Sequence, residues 1–290
     1  MKTKLPIPIL MFVLCVLPAP RVTSRAQTNA RAVSETVIFS IKKYPDSDVH
    51  IEPVVIIKSG QYTYPPVDED EGSKKFNDKY FRVNRKYRMV FGGGDAGSVK
   101  VTKVLEPGCV GLLAQVEVET NVRLGGQVQA LAVSSDHIGT GPTVRRAPSE
   151  AERAQAIDLA KAIYIRRKAP AALVRKMSTV NLTALDLDRD GKFEMIGSFN
   201  IQGPKLLAYN LFAIFELTPT GKYRAAWNWY QKGNEETYED RSLVDVIDLD
   251  GDGVAEVIAE GTYYESNDYI IYKRQTGTWR QIYKGGGGGC

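Results

Sequence analysis

From Glu35 to about Val133, short runs of apolar and polar residues alternate along the chain: residues 36–41, 53–57, 80–91, 98–102, 112–118 and 127–133. Each run predicts a strand, and several of them alternate with the two-residue period that sends every second side chain to one face, as half-buried strands do. The acidic stretch 68–71, followed by Gly72 and Ser73, interrupts this pattern and reads as a solvated loop. The texture changes at Pro148. Ser149 with Glu152 three residues on has the form of a capping box, and Ala156, Leu159, Ala160 and Ile163 recur on one helical face. Arg166, Arg167, Lys168 and Pro170 close the segment, which predicts a helix over 149–168 and a shorter one over 171–177.

The last third of the chain repeats itself. Residues 182–196 align with 244–258, with Asp186 falling on Asp248, and each copy continues with a strand, a turn and a Tyr- or Trp-bearing strand. Each unit therefore predicts four strands, the content of one propeller blade. The expected fold is mainly β, a β-rich α+β chain. It comprises an N-terminal β domain over 35–140, a helical insert over 148–178, two four-stranded propeller-blade-like repeats over 179–284 and a Gly-rich tail over 285–290 ending in cysteine.

Each repeat carries one acidic loop. Asp186, Asp188 and Asp190 stand at positions 1, 3 and 5 of the first, with Gly191 at 6 and Glu194 at 9. Asp248, Asp250, Asp252, Gly253 and Glu256 do the same in the second. Carboxylates at alternate positions, turned inward at a glycine, make a shell of hard oxygens suited to Ca2+, and a position-7 carbonyl, from Lys192 or Val254, would add a ligand. Four acids so close repel one another unless a cation joins them. An EF-hand is excluded, because position 12 is Gly197 in one copy and Ala259 in the other, and both flanks are β-branched and apolar. A metal-free Asp/Gly turn explains one such loop about as well; two copies in the same register favour calcium.

A loop closed by an acid at position 9 between two strands resembles the calcium loop of FG-GAP and VCBS-type repeats, which occur in integrin α-subunit propellers and in many exported bacterial proteins. The resemblance covers about 180–284. It departs from the family in having Glu at position 9 and in lacking the Phe-Gly and Gly-Ala-Pro signatures. It implies two Ca2+ sites that hold strand-to-strand corners, with modest affinity of ~10⁻⁴ to 10⁻³ M.

Charge enters the picture through the N-terminus. Lys2 and Lys4 precede an apolar run over 5–17, followed by Pro18, Pro20 and Ser24-Arg25-Ala26, the order of a secretory signal peptide over 1–26 cleaved near Ala26. The run is shorter than the ~20 residues that span a bilayer, so no transmembrane segment is expected in the mature chain. The segment holds Lys2, Lys4, Arg21 and Arg25 and no acid, and its removal leaves as many Lys and Arg as the 34 acids. The basic pI therefore argues for no nucleic-acid partner. Export, to the periplasm, cell surface or medium, meets an oxidising compartment, where Cys109 and Cys290 are expected to pair across the glycine-rich tail. Two free thiols, or an appended Gly-Gly-Gly-Gly-Gly-Cys tag, are the plainer alternatives.

Other signals carry less chemistry. Residues 92–97 satisfy G-x-G-x-x-G, but an alternating strand follows where a dinucleotide site needs a helix, so they read as a hairpin turn. His50 and His137 have no zinc-ligand spacing, and Ser134-Ser135-Asp136-His137 are too close in sequence for triad geometry. Tyr263, Tyr264, Trp227, Trp229, Tyr230 and Trp279 could line a sugar-binding face, although strand aromatics are more often core. The expectation is a secreted, non-catalytic, calcium-binding protein with an extracellular or envelope ligand, protein or glycan. The alternative is an exported hydrolase of polysaccharide or peptide, with structural calcium and its catalytic groups in the N-terminal half.

Overall fold

The computed structural model describes residues 35–43, 47–67, 70–105, 111–126 and 128–289. The expected signal peptide lies outside the described residues, as do Asp68, Glu69, Cys109 and Cys290.

The first half holds β1 (Glu35–Lys43), β2 (Val49–Lys58), β3 (Gln61–Thr63), β4 (Lys86–Phe91), β5 (Gly94–Val104), β6 (Ala114–Glu119) and β7 (Ala130–Val133). They pair in the order β1-β7-β4-β5-β6-β2, and β2 pairs back on β1, which closes a six-stranded barrel with β3 appended to β2. Closure leaves almost no free edge. Strand alternation sorts the side chains: Val37, Phe39 and Ile41 fill the barrel, while Ile38 points out to the next layer.

One end of the barrel is packed by α1 (Asp70–Tyr80), where the sequence reads as a loop and then a strand. Phe76 and Tyr80, one helical turn apart, pack edge-on or tilted with Phe81 around Phe39. Glu71, at the end of the stretch that looked like solvated loop, lies in the first turn of this helix, where its positive end favours it, and Glu71–Lys75 and Lys74–Asp78 ion pairs line its exposed face.

The second half contains β8 (Arg145–Arg146), α2 (Glu150–Arg166), α3 (Ala171–Val174), β9 (Ser178–Leu185), β10 (Glu194–Gln202), β11 (Ala208–Leu217) and β12 (Tyr223–Gly233). It ends with β13 (Glu239–Ile247), β14 (Glu256–Tyr263), β15 (Ser266–Gln275) and β16 (Thr278–Gly289). The capping box is formed as the sequence reads it: Ser149 Oγ accepts from Glu152 N–H, and Glu152 Oε2 accepts from Ser149 N–H. Strands β9 to β12 form an antiparallel meander with β8 added beside β9, and β13 to β16 form a second meander.

The layers run helices, five-stranded sheet, four-stranded sheet, barrel. Ala160, Ile163 and Tyr164 of α2 pack on Phe199, Leu211 and Phe215. The opposite face of that sheet, through Ile196, Phe212 and Ile214, meets Val257, Ile270 and Tyr272. The alternate residues Ile258, Tyr269 and Ile271 meet Ile38, Val55 and Leu131 of the barrel. The four-stranded sheet is thus covered on both faces, and each large apolar side chain so enclosed contributes roughly 1.5–3 kcal/mol.

These layers correct the propeller expectation: both repeats are open, uncurled antiparallel sheets, not blades. The outer face of one is taken by helices and that of the other by the barrel, so neither presents a face for a further blade. The expected Cys109–Cys290 bridge falls on cysteines outside the described residues, and among the described residues no disulfide is present. The glycine run does not travel freely, because residues 285–289 pair with β15 as part of β16. Its composition answers close approach: a Cβ on Gly285 would lie 2.2 Å from the Tyr64 ring, and one on Gly286, at φ +69, would lie 2.6 Å from the Val54 carbonyl oxygen.

The other glycine run, at the β4–β5 hairpin, also fits a contact. Gly92 N–H donates to both carboxylate oxygens of Asp245, at 3.0 and 2.9 Å, and a Cβ there would meet Arg145 Cβ at 2.4 Å. Asp245 is fully buried and also accepts from Arg145 Nη1 at 3.2 Å, which ties barrel, β8 and β13 together.

Candidate metal centre

Each acidic loop joins the first two strands of its meander, β9 to β10 and β13 to β14. Because the sheets are stacked, the loops lie side by side, and Ala255 N–H donates to the Leu187 carbonyl at 2.8 Å. In both, the position-9 glutamate turns back under the loop and accepts from the position-2 N–H: Glu194 from Leu187 at 3.1 Å, Glu256 from Leu249 at 2.8 Å. Both loops bring three acids within 4.8 Å of one another, Asp186, Asp188 and Asp190 in one, Asp248, Asp250 and Glu256 in the other. Either cluster can coordinate a divalent metal ion.

The clusters differ in what neutralises them. In the first loop, Asp186 is 8% exposed; its Oδ2 accepts from Gly191 N–H at 3.0 Å, while its Oδ1 is buried without a partner. Asp188 Oδ1 is likewise buried and unpartnered, and its Oδ2 accepts from Arg274 Nη1 at 3.1 Å. Asp190 faces solvent and is held by the N–H and ammonium of Lys192, whose hydrogen bonds lower its carboxyl pKa. Burial pushes the Glu194 carboxyl up to about 7; the Leu187 N–H opposes this, and the nearby charges of Asp188 and Glu216 add to it.

In the second loop, Asp248 accepts from Gly251 and Gly253 N–H through its two oxygens, and Asp252 Oδ1 accepts from Val254 N–H at 2.9 Å. The ammonium of Lys273 then bridges the rest, reaching Asp250 Oδ2, Asp252 Oδ2 at 2.7 Å and Glu256 Oε1 at 3.0 Å. Burial disfavours that charge, but the three carboxylates more than reverse the effect and hold the lysine pKa well above its ordinary value. Glu256 is also raised by burial, with the Leu249 N–H and Lys273 pulling it back.

Sequence reading missed Lys273 and its counterpart. One step beyond the Val257–Tyr272 pair, β15 presents Lys273 opposite Glu256. One step beyond the Met195–Phe215 pair, β11 presents Glu216 opposite Glu194. Glu216 accepts from Trp279 Nε1 at 3.0 Å and from Arg224. The signal was present in the repeat, but it requires the strand register rather than the loop motif.

The Ser134–His137 run and the tryptophans do not assemble a site. Ser134 Oγ accepts from Val37 N–H and Ser135 Oγ from His137 N–H, so these hydroxyls cap local backbone. Trp279 is buried, and Trp227 and Trp229 pack against the core between the two sheets. Among the described residues no helix is long and apolar enough to cross a membrane. Comparison with protein families, characterised proteins and solved structures gives no match.

Proposed function

We propose that the chain is an exported, non-catalytic β-repeat protein whose fold is stabilised by Ca2+ in the first acidic loop, held by Asp186, Asp188, Asp190 and Glu194. The observation that carries this reading is the pair of buried, unpartnered oxygens, Asp186 Oδ1 and Asp188 Oδ1. A buried carboxylate oxygen without a donor is costly, and a cation among the three aspartates removes that cost. Ca2+ suits the site better than Mg2+, because oxygens from one short flexible loop, with the Lys192 carbonyl in reserve, match a six- to eight-ligand shell rather than a rigid octahedron.

In the second loop Lys273 does the work of the ion. A second Ca2+, on Asp248, Asp250, Asp252, Glu256 and the Val254 carbonyl, has to displace that ammonium and binds more weakly. The relation to FG-GAP and VCBS-type loops belongs to this reading and rests on the shared acid positions and the strand-loop-strand setting. Export rests on the pattern of residues 1–26, and the partner is an extracellular or envelope ligand.

Calorimetric titration of residues 27–290 with CaCl2 tests the proposal. One equivalent is expected with Kd ~10⁻⁴ to 10⁻³ M, and MgCl2 should give a weaker response. Absence of Ca2+ uptake at ~10 mM, ten or more times that Kd, overturns it.

A further inference from the structure

The loops occupy one end of the stacked sheets; a cleft occupies the other. It opens where the starts of β9, β11 and β13 meet the end of β14 and the barrel rim at Lys42 and Gln129, with a cavity volume of about 750 Å³. Strand β10 runs its nine residues from the first acidic loop to the cleft wall, roughly 30 Å at the strand rise. The volume falls within the ~300–1,000 Å³ of small-molecule sites.

The cleft is built from polar groups fixed by the fold. Lys42 is buried and joins Glu52 at 2.7 Å and Glu260 at 2.6 Å; Gln129 Nε2 donates to the other Glu260 oxygen at 2.9 Å, and Asn267 Nδ2 to Glu260 Oε1 at 3.2 Å. On the opposite wall a chain of amides runs from Gln202 through Asn200 to Asn210, which anchors on the Glu239 carbonyl at 2.7 Å. Tyr238 donates to Asp240 Oδ2 at 2.6 Å, and Tyr263 closes the rim.

We propose that this cleft binds a neutral oligosaccharide, which names the ligand class of the binding function proposed above and rests on that reading. The charges lining it balance: Lys42, Lys43 and Arg241 against Asp240, Glu260 and Glu265. Such a lining has no excess of cations to draw a phosphate or a polyanion and no excess of acids to draw a polycation. What it does present is a high density of amide and carboxylate groups, already ordered by one another. That matches the ring of hydroxyls on a sugar, each both donor and acceptor, and preorganisation lowers the cost of ordering the site on binding. Tyr238 and Tyr263 add ring surface of the kind that sugar C–H faces cover.

The test uses residues 27–290 with neutral oligosaccharides of the glucan, mannan, xylan and chitin types, beside a phosphorylated and a uronic-acid oligosaccharide, each in CaCl2 and in chelator. Binding of a neutral member is expected. Asn200→Ala should weaken it about tenfold, the loss of one to two fixed hydrogen bonds. Gln202→Ala, at an exposed position that folding tolerates, should weaken it about threefold. Failure of every neutral member to bind, preference for a charged one, or indifference to both substitutions overturns the proposal. Failure of the calcium reading looks different: sugar binding persists while the CaCl2 titration is silent. Cleavage of a bound sugar keeps the ligand class and overturns only the non-catalytic reading.

Discussion

The two acidic loops share their acids, glycine and strand-to-strand setting, yet the neighbouring strand brings a lysine to one and a glutamate to the other. Lys273 lies opposite Glu256 and bonds three of the second loop's carboxylates; Glu216 lies opposite Glu194 and adds a negative charge to the first. An acidic loop therefore does not fix its own counter-ion. In the second loop one ammonium bridges three carboxylates, while the first meets Arg274 and Lys192 at its edge and keeps two buried oxygens unpartnered. The same motif is closed by an internal ammonium in one copy and keeps buried carboxylate oxygens open to a cation in the other, and the residue that differs lies on β15 or β11, outside the motif.

The largest expected effect comes from breaking the tethered cation. Lys273→Ala leaves Asp250, Asp252 and the fully buried Glu256 uncompensated. Removing one partner of a buried pair costs ~3–5 kcal/mol, and the half-exposed aspartates reduce this to about 2–3 kcal/mol in chelator. Millimolar Ca2+ should recover most of the loss, and calorimetry should count a second equivalent. Loss without recovery would show that the second loop cannot hold a metal even when vacated.

Next in size is the first loop. Asp186→Asn keeps an acceptor for Gly191 N–H but removes a charge from the ion's shell. In chelator its urea midpoint should match the parent. At 10–100 times Kd of Ca2+ the parent gains about 1.4–2.7 kcal/mol that the variant lacks. Asp248→Asn, the matching change in the second loop, should alter the Ca2+ response far less. Equal responses would erase the distinction between the loops.

A third effect is in pH. With its folded pKa near 7 against 4.5 for the ordinary carboxyl, Glu194 holds a proton more firmly in the folded state. The stability this gives is full below about 4.5 and is lost as pH rises through about 7, on the order of 1–2 kcal/mol in chelator. Glu194→Gln should flatten that slope. Ca2+ should flatten it from the other side, since the ion favours the charged form, so apparent affinity rises with pH up to about 7. A slope unchanged by both would remove Glu194 from the site.

Much of the fold was legible where one physical rule acts alone. The alternating runs became strands, the Ser149–Glu152 box opened α2, and the repeat became two four-stranded meanders. Failures came where a distant contact decides. Residues 70–80 form a helix because Phe76 and Tyr80 pack against the barrel, a partner that local alternation cannot reveal. The glycine tail is a strand because Tyr64, Val54 and Asn267 press on its backbone. Propeller blades were expected from strand count, but the faces are set by what covers them. The clustering of the acids was legible; the charges that face them were not, because Lys273 and Glu216 reach the loops through strand register and Arg274 from the facing sheet.

The smallest effects are the most discriminating, because they have opposite signs. Glu216→Gln keeps an acceptor for Trp279 Nε1 and removes one negative charge beside Glu194, so Ca2+ affinity in the first loop should fall about two- to threefold. Arg274→Gln removes the cation now bonded to Asp188 Oδ2, which competes with the ion for that carboxylate. It should therefore raise the affinity by a similar factor. Each change is worth about 0.5 kcal/mol, the scale of a partly exposed pair. If the loop binds no metal, Arg274→Gln has only a salt bridge to lose, and both variants are neutral or destabilising whether or not Ca2+ is present. A tighter Ca2+ complex from deleting a salt bridge is the mark of an ion that shares the Asp188 carboxylate with the arginine, Arg274 on Oδ2 and the ion on Oδ1.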